Sequence, residues 1–405
     1  MKEEVKFDIK TIVLYSCIIL FAALLACFSQ SKIKKRTASN GQILYCRDFR
    51  IIPFALSFVL LAFFACTTSV GADRITYGML FNEITWETVG NGQEIGFNLF
   101  MLFVSLFTDE PAVFCGILAF LTVLLVYKGL FDCRNDIYIG LAVLIYASQY
   151  YLQEFNLMRI YFAMSILIGA IGLLKKKKYF AYFWVIVIAF LFHYSVIFVL
   201  AAYLLGMIYI KLPKISFMGH VLWSVIVVAT GMVALIAFGD VIANIRIPML
   251  QRYAEYLKNI SLSSIGFMVI FQNIPMVIVL YLGRRFIDKY QFRRFALAYE
   301  IACVAIGLLA YSVPVIGRAL TVLNFPLLIY VPYMTEHYKK ASVLPANLNT
   351  DACRLYSKRK IKRIYIALIS ILLVYLLVMY VVYLQSYLEL DKINNFTFIW
   401  ENYLW

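Results

Sequence analysis

The chain of 405 residues is 63% hydrophobic and only 15% charged, and its mean hydropathy is +0.84. This composition excludes a soluble globular protein and is typical of a polytopic membrane protein. The formal net charge of +15 does not indicate nucleic-acid binding, because the lysines and arginines form short clusters between apolar runs, as they do in cytoplasmic loops. No polar segment is long enough for a separate soluble domain, so we predict a single integral membrane domain over residues 1–405.

The predicted elements are all helices, which makes the fold class all-α. Apolar stretches of about 20 residues define the spans, the basic clusters are assigned to the inside, and the acidic loop 69–110 is assigned to the outside. About twelve transmembrane helices result, with both termini outward. They lie near residues 11–28, 50–67, 111–128, 136–151, 157–174, 179–192, 194–210, 216–238, 264–282, 295–312, 319–334 and 364–386.

The apolar run 95–107 is too short to cross the bilayer, so we predict a re-entrant or interfacial helix there. A full crossing would also turn the four lysines at 175–178 outward, against the positive-inside pattern.

Four polar residues lie in or beside long apolar runs and reach the same predicted outer face: Asp73, Arg159, His193 and Arg318. An ionisable group at this depth is costly unless it is paired, hydrated or lining a cavity. Several such groups on one face therefore predict a polar cavity that opens outward, and we predict these four residues to be catalytic.

Asp73 begins a segment in which Tyr77 and Phe81 follow at helical spacing, which places the three residues on one helical face. Asp73 is a candidate general base or sugar-binding carboxylate, and Tyr77 is a candidate substrate contact. The alternative is that Asp73 only caps an interfacial helix.

Arg159 follows a polar segment at the outer end of its predicted span. A guanidinium there can bind a phosphate with two parallel hydrogen bonds, and we expect Glu154 and Asn156 to contact substrate beside it. The alternatives are that Arg159 reaches to lipid headgroups or pairs with Glu154.

His193 is predicted at the outward end of a helical hairpin, where an imidazole can act as acid, base or phosphate donor. A structural role in capping the hairpin is the alternative. Ser195 is a candidate substrate contact close by, but no carboxylate is near in sequence, so a hydrolase triad is not supported.

Arg252 and Tyr253 form a basic and aromatic strip in the second predicted outer loop, 239–263. Positive charge on the outside runs against the usual distribution and indicates an anionic ligand, with lipid headgroups as the alternative. We expect no metal and no cofactor, because the sequence has no CxxC pair, HExxH motif or nucleotide-binding loop.

Short motifs at these positions carry a resemblance to a known family. They are Val70-Gly71-Ala72-Asp73-Arg74-Ile75-Thr76-Tyr77-Gly78-Met79-Leu80-Phe81, Glu94-Ile95-Gly96-Phe97-Asn98-Leu99, Phe155-Asn156-Leu157-Met158-Arg159-Ile160-Tyr161-Phe162-Ala163 and Phe192-His193-Tyr194-Ser195. They resemble motifs of the EpsG family of bacterial membrane polysaccharide polymerases, a Wzy-like group, whose later Arg-aromatic positions look like Arg252-Tyr253 and Arg318. The departures from the family pattern are Thr67, Arg74 and Ile160.

The resemblance implies a glycosyltransferase-C-like fold and a polymerase of undecaprenyl-diphosphate-linked repeat units, which build a capsular, exo- or O-antigen polysaccharide. It also implies that Arg159, Arg252 and Arg318 neutralise the diphosphate leaving group. Asp73, Glu94 or His193 would then accept the proton of the acceptor hydroxyl, and Glu94 is a further candidate substrate contact.

An enzyme of this kind is expected in the bacterial cytoplasmic membrane with its site facing outward, in contact with membrane lipid and with a flippase and a chain-length regulator as partners. A ligase that transfers finished glycan would need the same donor-binding arginines. A transporter or flippase of lipid-linked sugars would show an inverted repeat or polar residues at mid-membrane. A membrane O-acyltransferase would need a route for its acyl donor from the cytoplasm.

Overall fold

The computed structural model describes residues 8–37, 43–90, 94–211, 325–343, 358–388 and 392–403, with a few single positions between 218 and 322. The predicted span near 295–312 and the loop 239–263 lie outside the described residues, as do most of 216–238 and most of 264–282. The chain divides into two compact units. One comprises Met1–Tyr194 and Val331–Trp405, and the other comprises Ser195–Tyr330.

Helices make up almost all of the described structure. They are α1 (Ile9–Phe28), α2 (Ile51–Thr67), α3 (Ala72–Asn82), α4 (Ile95–Ser105), α5 (Pro111–Asp132), α6 (Ile139–Gln149), α7 (Met158–Gly169), α8 (Ile171–Lys175), α9 (Tyr179–Phe192), α10 (Ile197–Lys211), α11 (Leu327–Val343) and α12 (Lys358–Tyr387). Short 3-10 helices cover Gln153–Phe155, Tyr194–Val196 and Ile399–Tyr403.

Within the described residues, four helical segments are long and apolar enough to cross a bilayer: Ile9–Phe28, Pro111–Asp132, Met158–Lys175 and Arg359–Gln385. Shorter apolar helices accompany them, and large apolar side chains stay exposed on their surfaces, as lipid contact requires. The chain is therefore a helical, multi-pass type of membrane protein. The count of about twelve spans and the glycosyltransferase-C-like fold stay predictions.

The structure differs from the predicted elements in one loop and at several helix ends. The basic loop after α1 contains an antiparallel hairpin of β1 (Lys34–Thr37) and β2 (Ile43–Cys46), which the helical periodicity did not predict. The helix predicted near 319–334 continues as α11 to Val343, because its polar C-terminal half is held by an ion pair of Glu336. The span predicted near 157–174 is interrupted at Ala170, whose backbone leaves the helical region between α7 and α8.

In the larger unit, α5 packs against α2 and α7, while α1 packs against α2 and α6. Tyr77, Phe97, Phe114, Met158 and Phe162 belong to one buried apolar cluster formed where α3, α4, α5 and α7 meet. Two members of this cluster, Tyr77 and Phe97, contact Arg159, which belongs to the polar site described below.

The basic segments gather at one end of this unit. Gln30, after α1, donates to the carbonyl of Arg134 at 2.7 Å, and Arg47 forms an ion pair with Glu336. Lys175 lies 2.8 Å from Asp136 in the same region. The arrangement agrees with the prediction that these loops share one side of the membrane.

The segment that follows α12 lies at the opposite end. The Tyr15 hydroxyl donates to the Ile393 carbonyl at 2.8 Å, and the backbone NH of Gly71 donates to the Lys392 carbonyl at 3.0 Å. Residues 392–398 therefore brace the segment that leads into α3.

Candidate functional site

The centre of the candidate site is Glu94, the residue immediately before α4. Its Oε2 atom forms an ion pair with Arg159 Nη1, in the first turn of α7. Its Oε1 atom lies 2.7 Å from His193 Nδ1, at the end of α9, and accepts a longer hydrogen bond of 3.4 Å from the Tyr194 backbone NH. One carboxylate thus joins two of the residues that were predicted to be catalytic.

Glu94 is almost completely buried, with 3% of its surface exposed. Burial alone would raise the pKa of its carboxyl, but the hydrogen bond with His193 and the charge of Arg159 outweigh burial and lower the pKa to about 2. Glu94 is therefore ionised at neutral pH. A buried anion of this kind orients its partners and balances positive charge, and an ionised carboxylate with three such partners is a poor base.

Arg159 is held on two sides. Its Nε donates to the Tyr77 hydroxyl at 2.6 Å, and its guanidinium lies 5.2 Å from the Tyr77 ring centroid and 5.6 Å from that of Phe97. Its side chain is 19% exposed, compared with 5% for His193 and 3% for Glu94. Arg159 is thus the most accessible of the three charged or ionisable groups, on an aromatic support that favours a cation.

Tyr77 stays neutral in this cluster. Burial raises the pKa of its phenol well above the ordinary value, the nearby charge of Arg159 lowers it in part, and Asp73 raises it further. Its hydroxyl can therefore accept the hydrogen bond from Arg159 without carrying a charge of its own.

Asp73 lies one turn before Tyr77 on α3 and faces the start of α7. Its Oδ2 accepts a hydrogen bond of 3.1 Å from the backbone NH of Met158, the first residue of that helix. The predicted face of α3 is present, and it presents Asp73 and Tyr77 to the same turn of α7.

Gly96 brings α4 and α9 into direct contact. A Cβ atom on this residue would lie 2.7 Å from the Leu191 carbonyl oxygen, so only glycine allows the two backbones to approach this closely. Because Glu94 precedes Gly96 by two positions and His193 follows Leu191 by two, this contact places the carboxylate beside the imidazole.

The other predicted residues have different positions. Glu154 is buried and accepts a hydrogen bond of 2.9 Å from the Tyr146 hydroxyl, and burial raises its pKa well above the ordinary value. The expectation that its carboxyl lies at the outer surface is wrong, because the 3-10 turn directs it into the bundle. The alternative pairing of Arg159 with Glu154 is also wrong, since Arg159 pairs with Glu94.

Asn156 ends this 3-10 turn and is partly buried. Ser195 is buried in the 3-10 helix Tyr194–Val196. Arg318, Arg252 and Tyr253 lie outside the described residues. Their predicted roles, like those of the clustered residues, stay predictions.

Two contributors were missed by sequence reasoning. Phe97 supports the Arg159 guanidinium, and the Tyr194 backbone NH donates to Glu94. Phe97 belongs to a motif that had been singled out and follows Glu94 by one helical turn, which was the available signal. The Tyr194 contact is made by the backbone and leaves no mark in the sequence.

The arrangement combines a fixed cation, an imidazole and a buried anion in one cluster. A carboxylate that binds Nδ1 of an imidazole leaves Nε2 as the nitrogen that accepts a proton from a third group. The guanidinium can stabilise negative charge that develops nearby. Together, these three side chains provide what is needed to transfer a chemical group from a phosphate to a hydroxyl.

Neither curated proteins nor solved structures give a match to this sequence. A family model does match, over residues 50–344, and this region contains Asp73, Tyr77, Glu94, Arg159 and His193. Because the match covers well over half of the sequence, the chain belongs to the EpsG family.

Proposed function

We propose that the protein is a membrane glycosyltransferase that polymerises undecaprenyl-diphosphate-linked repeat units of a bacterial polysaccharide. Membership of the EpsG family supports a membrane polysaccharide polymerase type of role. The observation that carries the chemical proposal is the bridge that Glu94 makes between Arg159 and His193, because it holds a cation and a potential base side by side.

In the proposed reaction, a sugar hydroxyl of one lipid-linked unit attacks the anomeric carbon of the growing glycan. The bond between that carbon and the diphosphate oxygen breaks, and its electron pair leaves with the diphosphate. The new glycosidic bond forms to the acceptor oxygen, whose proton passes to Nε2 of His193. No metal or cofactor is needed for this balance of atoms and charge.

His193 is the proposed general base. Its Nδ1 lies 2.7 Å from an ionised Glu94, which fixes the ring orientation and stabilises the imidazolium that forms when the proton is taken up. A positioned base of this kind contributes about 10² to 10⁴ to the rate.

Arg159 is the proposed diphosphate ligand. Its side chain is more accessible than those of Glu94 and His193, and Tyr77 and Glu94 hold it in one orientation. A preorganised cation is effective where negative charge develops in the transition state. Arg252 and Arg318 are proposed to assist it, on the basis of their motif positions.

The site lies at the end of the larger unit opposite to the basic loops. We propose that this end faces outward from the bacterial cytoplasmic membrane, because lysine and arginine loops are retained on the cytoplasmic side. Lipid-linked repeat units delivered to the outer leaflet would then reach the cluster directly.

The test is to place the purified protein in lipid vesicles, add a lipid-diphosphate-linked oligosaccharide and separate the products by size. We expect a ladder of glycans from the wild-type protein. His193→Gln should reduce its rate by about 10² or more, because glutamine can bond to Glu94 but cannot take up the proton.

His337→Gln is the matched control. His337 lies on α11 next to Glu336, at the end of the basic loops, so the same substitution there should leave the ladder intact. Transfer of glycan to a different acceptor without a ladder would favour a ligase. Movement of intact substrate across the bilayer without chemistry would favour a transporter, and either result would overturn the proposal.

A further inference from the structure

The helix that carries Arg159 depends on another element for its N-terminal cap. The first backbone NH groups of a helix have no partner within the helix and need an outside acceptor. Leu157 precedes α7 and has an apolar side chain, so it offers no capping oxygen. The Asp73 carboxylate supplies one from α3, at 3.1 Å from the Met158 nitrogen.

The position of α3 is fixed by a backbone contact just before Asp73. Gly71 has a φ of +119°, and a Cβ atom on it would lie 2.2 Å from the Phe155 carbonyl oxygen. The two chain segments therefore touch at Gly71 and Phe155, and the hydrogen bond from Met158 to Asp73 follows a few residues later in each.

The next contact between these segments involves Arg159 itself. Tyr77 lies one helical turn after Asp73, and its hydroxyl accepts from Arg159 Nε at 2.6 Å. Asp73 thus binds the backbone of the first turn of α7, and Tyr77 binds the guanidinium of Arg159 in the same turn. A carboxylate at this helix end is also favoured by the helix dipole.

We propose that Asp73 is a positioning residue that acts through α7. It fixes the first turn of that helix so that Arg159 meets Glu94 and the substrate, and it takes no proton in the reaction. The proposal rests on the proposed function for the role of Arg159. Asp73, a candidate general base or sugar-binding carboxylate from its sequence motif, thus caps α7 instead.

Two substitutions of Asp73 separate these roles. Asparagine keeps an oxygen that accepts from the Met158 NH, and it is about as good a cap as aspartate, so Asp73→Asn should retain activity within about threefold. Asp73→Ala removes the acceptor, and misplacement of Arg159 should lower kcat by about 10². Because no proton is transferred, the pH profile of Asp73→Asn should match that of the wild type.

Asp8→Ala is the matched control. Asp8 caps α1 at the same end of the unit, where its side chain accepts from the backbone NH groups of Lys10 and Thr11. Loss of this cap should weaken α1 without reducing kcat, because α1 carries none of the site residues Tyr77, Glu94, Arg159 and His193. Equal losses of kcat in Asp8→Ala and Asp73→Ala would overturn the positioning role.

Hydrogen exchange in lipid nanodiscs tests the proposal without any activity. The amides of residues 158–161 should exchange faster in Asp73→Ala than in the wild type, Asp73→Asn or Asp8→Ala. Unchanged exchange in Asp73→Ala would overturn the proposal even if the glycan ladder forms. An inactive but well-folded Asp73→Asn would overturn it too, because the charge would then be essential. A missing ladder from the wild type, with the expected exchange pattern, would reject only the proposed function.

Discussion

Glu94 and His193 are 99 residues apart in sequence, yet the Oε1 atom of Glu94 lies 2.7 Å from Nδ1 of the histidine. The carboxylate is buried and ionised, and its second oxygen pairs with Arg159. Removal of its charge should therefore disturb a base, a cation and the stability of the bundle at the same time.

The contribution of Glu94 to stability should depend on pH. Its pKa is lowered from 4.5 to about 2 in the folded protein, so the folded state favours the ionised form. This stabilisation is fully present above pH 4.5 and is lost as pH falls toward 2. Thermal unfolding of wild-type protein and Glu94→Gln in nanodiscs should show a difference that shrinks as pH falls below about 4.5.

The matched comparison is Glu87→Gln, in the loop before Glu94 and exposed to solvent. Its unfolding temperature should follow that of the wild type over the whole range. If the wild type kept the same difference in unfolding temperature from Glu94→Gln down to pH 3, the lowered pKa of Glu94 would be contradicted.

Arg159→Lys should separate charge from geometry. Lysine keeps the positive charge, but a single ammonium cannot reproduce the planar set of donors that now reaches Glu94 and Tyr77. We expect the polymerisation rate to fall by about tenfold to 10², chiefly through kcat, since the lost alignment matters most in the transition state.

Arg134→Lys is the control for this substitution. Arg134 also lies over an aromatic ring, 3.9 Å from the Phe131 centroid, but belongs to the end of the basic loops. Its rate should equal that of the wild type. Full activity of Arg159→Lys would show that charge alone suffices at this position.

Gly71→Ala should prevent the close approach of α3 to the turn before α7. The added Cβ would lie 2.2 Å from the Phe155 carbonyl oxygen, and the φ of +119° is unfavourable for alanine. Backbone strain and the clash together should cost about 3 kcal/mol or more. At Gly90 the added Cβ would meet no atom within 4 Å apart from the glycine itself and its chain neighbours, so Gly90→Ala should leave the unfolding temperature nearly unchanged. A stable Gly71→Ala protein with wild-type activity would argue against this contact.

The orientation of the site can be measured in intact cells with a membrane-impermeant thiol reagent. Trp86 is 74% exposed in the loop before Glu94, and Lys360 is exposed near the start of α12, at the other end of the unit. Trp86→Cys should gain labelling above the wild-type background, and Lys360→Cys should gain it only after the membrane is broken. The reverse labelling pattern would show that the site faces the cytoplasm.

The sequence was sufficient for the features that depend on local periodicity. The apolar lengths predicted α1, α2, α5 and α9 closely, and the spacing of Asp73 and Tyr77 predicted a shared helix face. These features follow from about 3.6 residues per helical turn and from the thickness of the bilayer.

Contacts between distant segments could not be predicted in the same way. Glu94 lies 65 residues from Arg159, and its place between that arginine and His193 depends on the backbone contact at Gly96. Glu154 has the same chemical character as Glu94 and lies near Arg159 in sequence, but its turn directs it into the bundle toward Tyr146. Sequence proximity therefore favoured the wrong carboxylate as the partner of Arg159.

The ion pair of Arg47 and Glu336 should stabilise the end of the basic loops without contributing to catalysis. Arg47 Nε and Nη2 each lie 2.9 Å from an oxygen of Glu336, and the two side chains are 7% and 1% exposed. Arg47→Met leaves a buried carboxylate without its main partner and should destabilise the protein by about 3 to 5 kcal/mol.

Replacing both partners tests whether the penalty comes from the uncompensated charge. Arg47→Met with Glu336→Met should recover most of the stability, to within about 1 kcal/mol of the wild type, because two apolar side chains of similar size need no counter-charge. Lys34→Met, which breaks the exposed ion pair with Asp48, should change stability by less than about 1 kcal/mol. Unfolding in nanodiscs gives the stabilities, and the glycan ladder gives the activity. If the double variant were as unstable as Arg47→Met, the hydrogen bond from Arg47 to the Ser31 carbonyl would be the more important contact, since that bond is lost in both variants.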